Sequence, residues 1–414
     1  MISVNFFLVS VILSIVLSDI QFLPGNREVE FFILLLLTFK FLISNLHIVK
    51  PVHVHDFLFL IFTVYMLTNV YMGVIYNDLS LHWFLFFLMF YPLMSEAKKI
   101  SRWSLLKKKK AISSLVNALL LFNLIGFSFY IVDLPSMGIT PTKLLLPLIA
   151  FSPFAIFNIK YGSNKDRFIA YLTLFVCYAF IMAESSRGTL VIYSVIVSIG
   201  VWIVGVKTVI VRDSAKIVPM LAISLILLVA NIDMGTIIDD TLLIFSDLVE
   251  PDQDELKDLD RYLNFLAVFD FFQAASINTI LFGTGFRSSW LYVAPYLELL
   301  YEIFMPNLDY SKDLSVIGFP GLLVDIGVIG LFLFFTLFSA AILSNIKGLP
   351  FRWKLLIAVT IFGVFMRNYG NNVSANAITM LVIMPYGVLW LLSNAIRAIL
   401  SDTEQLPIVS DLQK

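Results

Sequence analysis

The feature that most constrains this chain is a series of apolar blocks, each long enough to cross a lipid bilayer as a helix. A block of about 18 or more residues with few charges has that length, and such blocks recur along nearly the whole sequence. Of the 414 residues, 59% are apolar and 14% are charged, whereas soluble domains carry about a quarter charged residues. The chain is therefore predicted to be an all-α, polytopic integral membrane protein.

Hydropathy predicts about twelve transmembrane helices. They cover residues 4–23, 29–46, 56–76, 81–95, 111–132, 144–159, 168–184, 189–206, 217–234, 318–345, 355–370 and 377–395. Residues 1–234 would then hold the first nine helices and 318–395 the last three. Between them, 235–317 would form a long, partly helical periplasmic loop, and 396–414 would be a cytoplasmic tail.

The Lys and Arg residues predict the orientation. Most of those in short loops fall in one set of segments: 47–55, 96–110, 160–167, 207–216, 346–354 and the tail. Loops rich in these residues stay in the cytoplasm, so both termini are predicted to be cytoplasmic. The run Lys107–Lys110 is the strongest marker, and it is interpreted as a topology signal beside anionic lipid headgroups.

The long loop is predicted to contain two helices that cap the outer face of the bundle. The first would start at Pro251-Asp252 and continue to Phe272, because its apolar residues recur at helical spacing along one face. Gly283-Thr284-Gly285 would break the helical pattern. Residues 290–304 are again aromatic and apolar, which predicts a second cap helix.

Arg187 lies in the segment Glu184-Ser185-Ser186-Arg187-Gly188, at the predicted outer end of two spans. One interpretation is an arginine that extends to the interface from a tight helical hairpin. The other is an anion-binding arginine at the rim of a cavity, because guanidinium offers a planar fork of donors that matches phosphate oxygens.

Two further arginines lie in the long loop. The segment Asp260-Arg261-Tyr262 is either a surface ion pair of little energetic weight or a second phosphate-facing arginine. Arg287 closely follows the glycine-bracketed turn at 283–285. Such a turn is weak evidence for phosphate binding and is also typical of an ordinary loop.

Polar residues also mark the last part of the chain. Asp325 lies within the tenth predicted span and needs a partner or water there, while Gly327 and Gly330 are interpreted as close-packing residues. Arg367 and Asn371-Asn372 belong to a polar cluster at an outer helix junction. The cluster is either an ordinary loop or a carbohydrate site, since amide side chains hydrogen-bond sugar hydroxyls.

The four outer arginines together are suited to binding a diphosphate. They are Arg187, Arg261, Arg287 and Arg367. The sequence offers no cluster of metal ligands, so arginines would have to stabilise the charge of a leaving diphosphate. No metal or other cofactor is predicted, and a net charge of −1 gives no sign of nucleic-acid binding.

The pattern resembles the O-antigen polymerase and O-antigen ligase superfamily of bacterial membrane proteins. The resemblance rests on the long outer loop and on Ser186-Arg187-Gly188, Arg261, Leu281 to Phe286, and Leu323 to Gly330. Ligases of the superfamily carry a His-Asn pair just before the span that begins here near Gly318. This chain has Ser315-Val316-Ile317 at that place, so it resembles the O-antigen polymerases instead.

The resemblance implies a metal-independent glycosyltransferase on the periplasmic face of the bacterial inner membrane. It would join oligosaccharide repeat units, with donor and acceptor both carried on undecaprenyl diphosphate. Membrane lipids, a flippase and a chain-length regulator are the other implied partners. The implied catalytic residues are Arg187, Arg261, Glu184 and Asp260, and the implied substrate-binding residues are Arg287, Arg367, Tyr262, Asn371, Asn372 and Asp325.

Two alternative functions stay open. A lipid-linked oligosaccharide flippase would share the span count and a cationic cavity, but flippases tend to have two related halves and no long outer loop. A ligase of the same superfamily is disfavoured by the absence of the His-Asn pair.

Overall fold

The computed structural model describes residues 54–74, 100–131, 145–183, 187–214, 217, 254–285, 288–304, 318–369 and 389–404. Within these ranges every regular element is a helix. The helices are α1 (Val54–Val74), α2 (Leu105–Ile131), α3 (Leu145–Tyr161), α4 (Asn164–Ala183), α5 (Arg187–Val204), α6 (Val206–Arg212), α7 (Asp254–Ala274), α8 (Ile277–Phe282), α9 (Ser289–Phe304), α10 (Gly318–Ile346), α11 (Phe351–Tyr369) and α12 (Leu389–Glu404). The predicted spans 4–23, 29–46 and 81–95, and most of 217–234 and 377–395, lie outside the described residues.

The predicted segments that fall in the described ranges are helical, including the two in the long loop, α7 and α9. We call these two helices, with the turn between them, the cap. Two helices extend well beyond the apolar spans predicted within them. Helix α2 begins at Leu105 instead of 111, and α12 continues to Glu404 instead of ending at 395. Hydropathy follows only the apolar part of a helix, whereas Lys, Arg, Ala and Leu all favour continuing it. The first residues of the predicted tail, 396–414, are therefore helical.

One helix in the described ranges is long and apolar enough to cross a membrane. It comprises Pro320–Ile346 of α10, and only 29% of its most apolar stretch is buried within the structure. Large apolar side chains such as Phe332, 68% exposed, point away from the protein. A core helix of a soluble protein would be mostly covered, so this surface is suited to lipid.

The relative directions of the helices agree with the predicted alternation of spans. Tyr65 of α1 bonds the Ile326 carbonyl of α10, and Phe62 lies against Phe334. Phe62 precedes Tyr65 on α1, whereas its partner Phe334 follows Ile326 on α10. The two helices are therefore antiparallel.

The same reasoning applies to other helix pairs. On α5 and α11, Gly363 lies at Ile192 and Arg352 at Trp202, so this pair is also antiparallel. Helices α2 and α4 run parallel, because Asn123 of α2 bonds Cys177 of α4 near their later turns and Ser113 bonds Asp166 near their starts.

The main apolar core surrounds α3. Phe154, Ile156 and Phe157 are at most 1% exposed there, and α2, α4, α5, α11 and α12 contribute to the same cluster. A second, smaller core lies in the cap between α7 and α9, and Val324 of α10 is part of it. Helix α10 therefore belongs to both cores and connects the cap to the bundle.

Basic side chains gather at one end of the bundle, which we call the basic end and define by Lys160, Arg212, Arg352 and Arg397. Lys160 Nζ donates to the Ile203 carbonyl at 2.7 Å, and Arg352 donates to the Trp202 carbonyl at 3.2 Å. These carbonyls lie in the last turn of α5, where cations are favoured by the helix dipole.

Arg397 of α12 makes an equivalent cap at the end of α10. Its guanidinium donates to the carbonyls of Ser344 and Lys347 at 2.9 Å and of Asn345 at 2.8 Å. Burial lowers the pKa of Arg397. The loops that were predicted to share the cytoplasmic side therefore meet at one end, held by cations that also terminate helices.

The lysine run at the start of α2 is not uniformly solvated. Lys107 lies over the Trp103 ring at 4.5 Å, and Lys108 is 5% exposed with its Nζ directed at the Ser101 carbonyl. Burial lowers the pKa of Lys108. Part of the predicted topology signal is therefore packed against the protein.

Candidate functional site

Helix α10 is interrupted at Gly327, which has φ 65° and ψ 180° inside an otherwise helical segment. A positive φ of this kind suits glycine, since other residues pay a steric cost there. An interruption frees backbone carbonyls in the preceding turn from their usual partners. In an apolar surrounding, each carbonyl left unpaired would cost several kcal/mol.

The glycine-bracketed turn of the cap supplies new partners. Thr284 N–H donates to the Val324 carbonyl at 2.9 Å, and Gly285 N–H donates to the Asp325 carbonyl at 3.1 Å. The Tyr65 hydroxyl of α1 donates to the next carbonyl, Ile326. We call this contact between the cap turn, α1 and the interrupted helix the cap junction, comprising Tyr65, Asn69, 281–285, 288–289 and 324–327.

Two glycines allow the cap junction to close. A Cβ on Gly283 would overlap the Asp325 carbonyl and come within 2.7 Å of Gly327 N. A Cβ on Gly327 would overlap Gly283 N and come within 2.5 Å of the Leu281 carbonyl. Neighbouring Gly330 instead gives room for the Tyr65 ring. The predicted close packing is thus confirmed at Gly327 and Gly330. The break in the helix at Gly327 was not predicted.

Asp325 has the partner that its position required. The carboxylate is 6% exposed, and its Oδ1 accepts the N–H of Ser289 at 2.7 Å. Ser289 is the first residue of α9, where a negative charge is stabilised by the helix dipole. Beside it, the hydroxyls of Thr284 and Ser288 are hydrogen-bonded at 2.7 Å. Asp325 therefore holds the start of a cap helix, and its predicted role in substrate binding stays a prediction.

Two residues of α1 complete the cap junction and were missed in the sequence. The Phe282 carbonyl accepts from Asn69 Nδ2 at 3.0 Å and from the Tyr65 hydroxyl at 3.1 Å. Asn69 is 3% exposed. Tyr65 and Asn69 are four residues apart, so they lie on one face of a helix. The signal in the sequence was the amide side chain of Asn69, which needs a hydrogen-bond partner within a predicted span.

Arg187 and Arg367 lie at the same end of two adjacent helices. Arg187 is the first residue of α5, and α11 ends at Tyr369 just after Arg367. The helices cross where a Cβ on Gly363 would overlap the Ile192 side chain. At a rise of 1.5 Å per residue, both arginine positions lie about 6–8 Å beyond this crossing, on the side away from the basic end.

Arg261 belongs to the cap. It lies with Asp260 and Tyr262 on α7. Tyr262 is 58% exposed, while Leu263 beside it is buried in the cap core with Val324 of α10. Helix α7 therefore presents one face to the cap junction and another to the surroundings.

The remaining predicted site residues are described only in part. Glu184, Arg287, Asn371 and Asn372 lie outside the described residues, as do the side chains of Arg187, Asp260, Arg261 and Arg367. The described contacts place Arg187 and Arg367 at the same end of two packed helices. They also connect α7, which carries Arg261, to the cap junction. They do not join these two groups to each other, so the shared arginine site stays a prediction.

In the part of the chain that the structure describes, no group of three or more His, Cys, Asp or Glu side chains could hold a metal ion. Compared with known proteins, the chain matches no family model, no curated protein and no solved structure.

Proposed function

We propose that this protein is a polymerase of O-antigen or of a related surface polysaccharide. It joins oligosaccharide repeat units carried on undecaprenyl diphosphate, on the periplasmic face of the bacterial inner membrane. The observation that carries the proposal is the cap junction. Two segments of the family resemblance, 281–286 and 323–330, lie about 40 residues apart in the chain and form one contact through Gly283 and Gly327.

A multi-span membrane topology is part of the proposal. The alternating helix directions and the basic end support it, because the loops predicted to be cytoplasmic lie together there. Arg187 and Arg367 are at the opposite end of α5 and α11. On this topology they face the periplasm, where the lipid-linked substrates are presented.

In the proposed reaction, a hydroxyl of the acceptor's non-reducing sugar attacks the anomeric carbon of the donor. The new glycosidic C–O bond forms, the bond from that carbon to the diphosphate oxygen breaks, and undecaprenyl diphosphate leaves. Arg187, Arg261, Arg287 and Arg367 stabilise its negative charge by bidentate hydrogen bonds.

The hydroxyl proton passes to a carboxylate within hydrogen-bond reach. Three carboxylates are candidates for this base: Glu184, Asp260 and Asp325. The buried Asp325 carboxylate already accepts the Ser289 N–H. This contact favours Glu184 or Asp260.

The experiment that tests the proposal is deletion of the gene in its native strain, followed by gel analysis of surface polysaccharide. A polymerase defect leaves single repeat units attached to the lipid A core. A bare core would indicate a flippase or a ligase and would contradict the proposal.

Complementation then tests the arginines. Arg187→Ala and Arg261→Ala should fail to restore long chains at normal protein level. Arg187→Lys should also be impaired, because lysine lacks the bidentate fork. The control Arg102→Ala removes an exposed cation from the predicted cytoplasmic segment 96–110, and it should restore wild-type chain lengths.

A further inference from the structure

A cavity of about 420 Å³ lies between α3, α4 and α5, and no residue of the cap junction lines it. Its walls are almost wholly apolar and include Leu174 of α4 and Val197 of α5. Tyr178 also lines it and is 37% exposed, so the cavity communicates with the outer surface of the bundle. An apolar space of this size repels water, and left empty it would deprive the surrounding side chains of packing partners.

A cation, Arg167, lies at the end of the cavity wall that α4 forms. Tyr171, Leu174 and Tyr178 recur at helical spacing along one face. Arg167 lies one turn before Tyr171 on this face, towards the basic end. The Arg167 Nε is buried and has no hydrogen-bond partner among the described residues.

Helix α6 brings further charge to the same end of the cavity. Gly205, with φ 101°, turns the chain after α5, and Val209 of α6 lines the cavity. Lys207, two positions before Val209, leaves α6 on the opposite side and is exposed. Arg212 at its end is paired with the buried carboxylate of Asp213 at 2.9 Å.

These charges do not cancel. Asp213 also accepts the Tyr171 hydroxyl at 3.1 Å, and Arg167 and Arg212 both act electrostatically on that hydroxyl. Asp213 offsets Arg212, while Arg167 leaves this end of the cavity positive.

We propose that the cavity binds one anionic phospholipid, with an acyl chain between α4 and α5 and the phosphate at Arg167. An apolar slot that ends in cations matches the two parts of such a lipid, as expected at an interface with anionic headgroups. The binding site is independent of the proposed polymerase reaction. On the predicted topology it draws its lipid from the cytoplasmic leaflet.

The test is native mass spectrometry of the purified full chain in detergent, with dioleoylphosphatidylglycerol or dioleoylphosphatidylcholine added. The wild-type protein should retain one phosphatidylglycerol molecule in preference to phosphatidylcholine. Val197→Phe fills the apolar part of the cavity and should weaken retention about tenfold. The matched control Val195→Phe, on the exposed face of α5, should retain the lipid.

The charged end is tested separately, so that the result does not depend on one packing variant. The variant Arg167→Gln should lose the preference for phosphatidylglycerol. The control Lys165→Gln, an exposed cation near the start of α4, should keep it. Equal retention of both lipids by the wild type, or equal retention by Val197→Phe and Val195→Phe, would overturn the proposal. So would absence of any retained lipid, as expected if another part of the chain or a second copy fills the cavity.

Discussion

Gly283 of the cap lies directly against Gly327 at the interruption of α10, so that a Cβ on either one would overlap the backbone of the other's segment. Both glycines also have positive φ, at 83° and 65°. The pair fixes where the cap turn meets the bundle. It also lets the freed carbonyls of α10 find donors in the cap turn.

Replacing either glycine by alanine should open this contact. We expect Gly283→Ala or Gly327→Ala to lower the free energy of unfolding by roughly 2–5 kcal/mol, from backbone strain and overlap together. Denaturant unfolding in detergent measures the loss. The control Gly348→Ala has a similar φ of 75° but open space around its Cβ position, so it should cost only about 1–2 kcal/mol. Equal losses at Gly327 and Gly348 would contradict the close contact.

The hydroxyl of Tyr65 should hold the cap to α1. Tyr65→Phe removes the one hydroxyl proton that lies between the carbonyls of Phe282 and Ile326. Since a lost hydrogen bond costs about 0.5–1.5 kcal/mol, the opening free energy of the cap turn should fall by that order. Hydrogen exchange of the backbone amides of 282–285, 288 and 289 should then accelerate. Tyr178→Phe removes a hydroxyl from α4 instead and should leave exchange in the cap unchanged; faster exchange there would count against a local effect.

The start of α4 carries a capping box that should make stability depend on acid. Ser163 Oγ donates to Asp166 Oδ2 at 2.6 Å, and Asp166 N–H donates back to Ser163 Oγ. Burial alone would raise the pKa of Asp166, but the Ser163 hydrogen bonds hold it below its ordinary value of 3.8.

A carboxylate with a lowered pKa in the folded state stabilises the protein above its unfolded pKa, and this contribution is lost as the pH falls through the folded pKa. Stability should therefore drop below about pH 4. Ser163→Ala should cost about 0.5–2 kcal/mol at neutral pH and weaken the acid dependence. The control Ser401→Ala, at an exposed site, should change stability by less than about 0.5 kcal/mol. An unchanged acid profile in Ser163→Ala would contradict the capping box.

The guanidinium of Arg397 should be a structural requirement and not only a topological charge. Its donors bind the carbonyls of Ser344, Asn345 and Lys347. Arg397→Leu should lower the free energy of unfolding by about 1.5–3 kcal/mol for each strong hydrogen bond lost. Arg397→Lys should recover only part of it, because one ammonium cannot match the fork. Lys347→Gln removes a nearby exposed charge and keeps the backbone carbonyl, so it should be close to neutral. Similar losses in the free energy of unfolding for Arg397→Leu and Lys347→Gln would contradict the proposed binding of the α10 carbonyls by Arg397.

The cap helices could be predicted from the sequence because their apolar residues repeat at helical spacing, and Gly283-Thr284-Gly285 marked the turn between them. The sequence indicated that Asp325 needs a partner, but it did not identify the Ser289 N–H as that partner. The interruption at Gly327 could not be predicted, because a glycine that breaks a helix and one that packs closely look the same in one sequence. The contact of Tyr65 with Phe282 spans 217 positions along the chain, and no local pattern reveals it. The extension of α12 to Glu404 was missed because its residues favour a helix without being uniformly apolar, and hydropathy follows only the apolar part.

The most direct test of the proposed function uses the purified protein in lipid vesicles, supplied with the undecaprenyl-diphosphate-linked repeat units of its native strain. We expect a ladder of longer glycans, with one undecaprenyl diphosphate released for each bond formed. Arg187→Ala and Arg261→Ala should abolish both signals, while Arg102→Ala keeps them. Transfer of repeat units across the bilayer without chain growth, or a normal ladder from both arginine variants, would contradict the account.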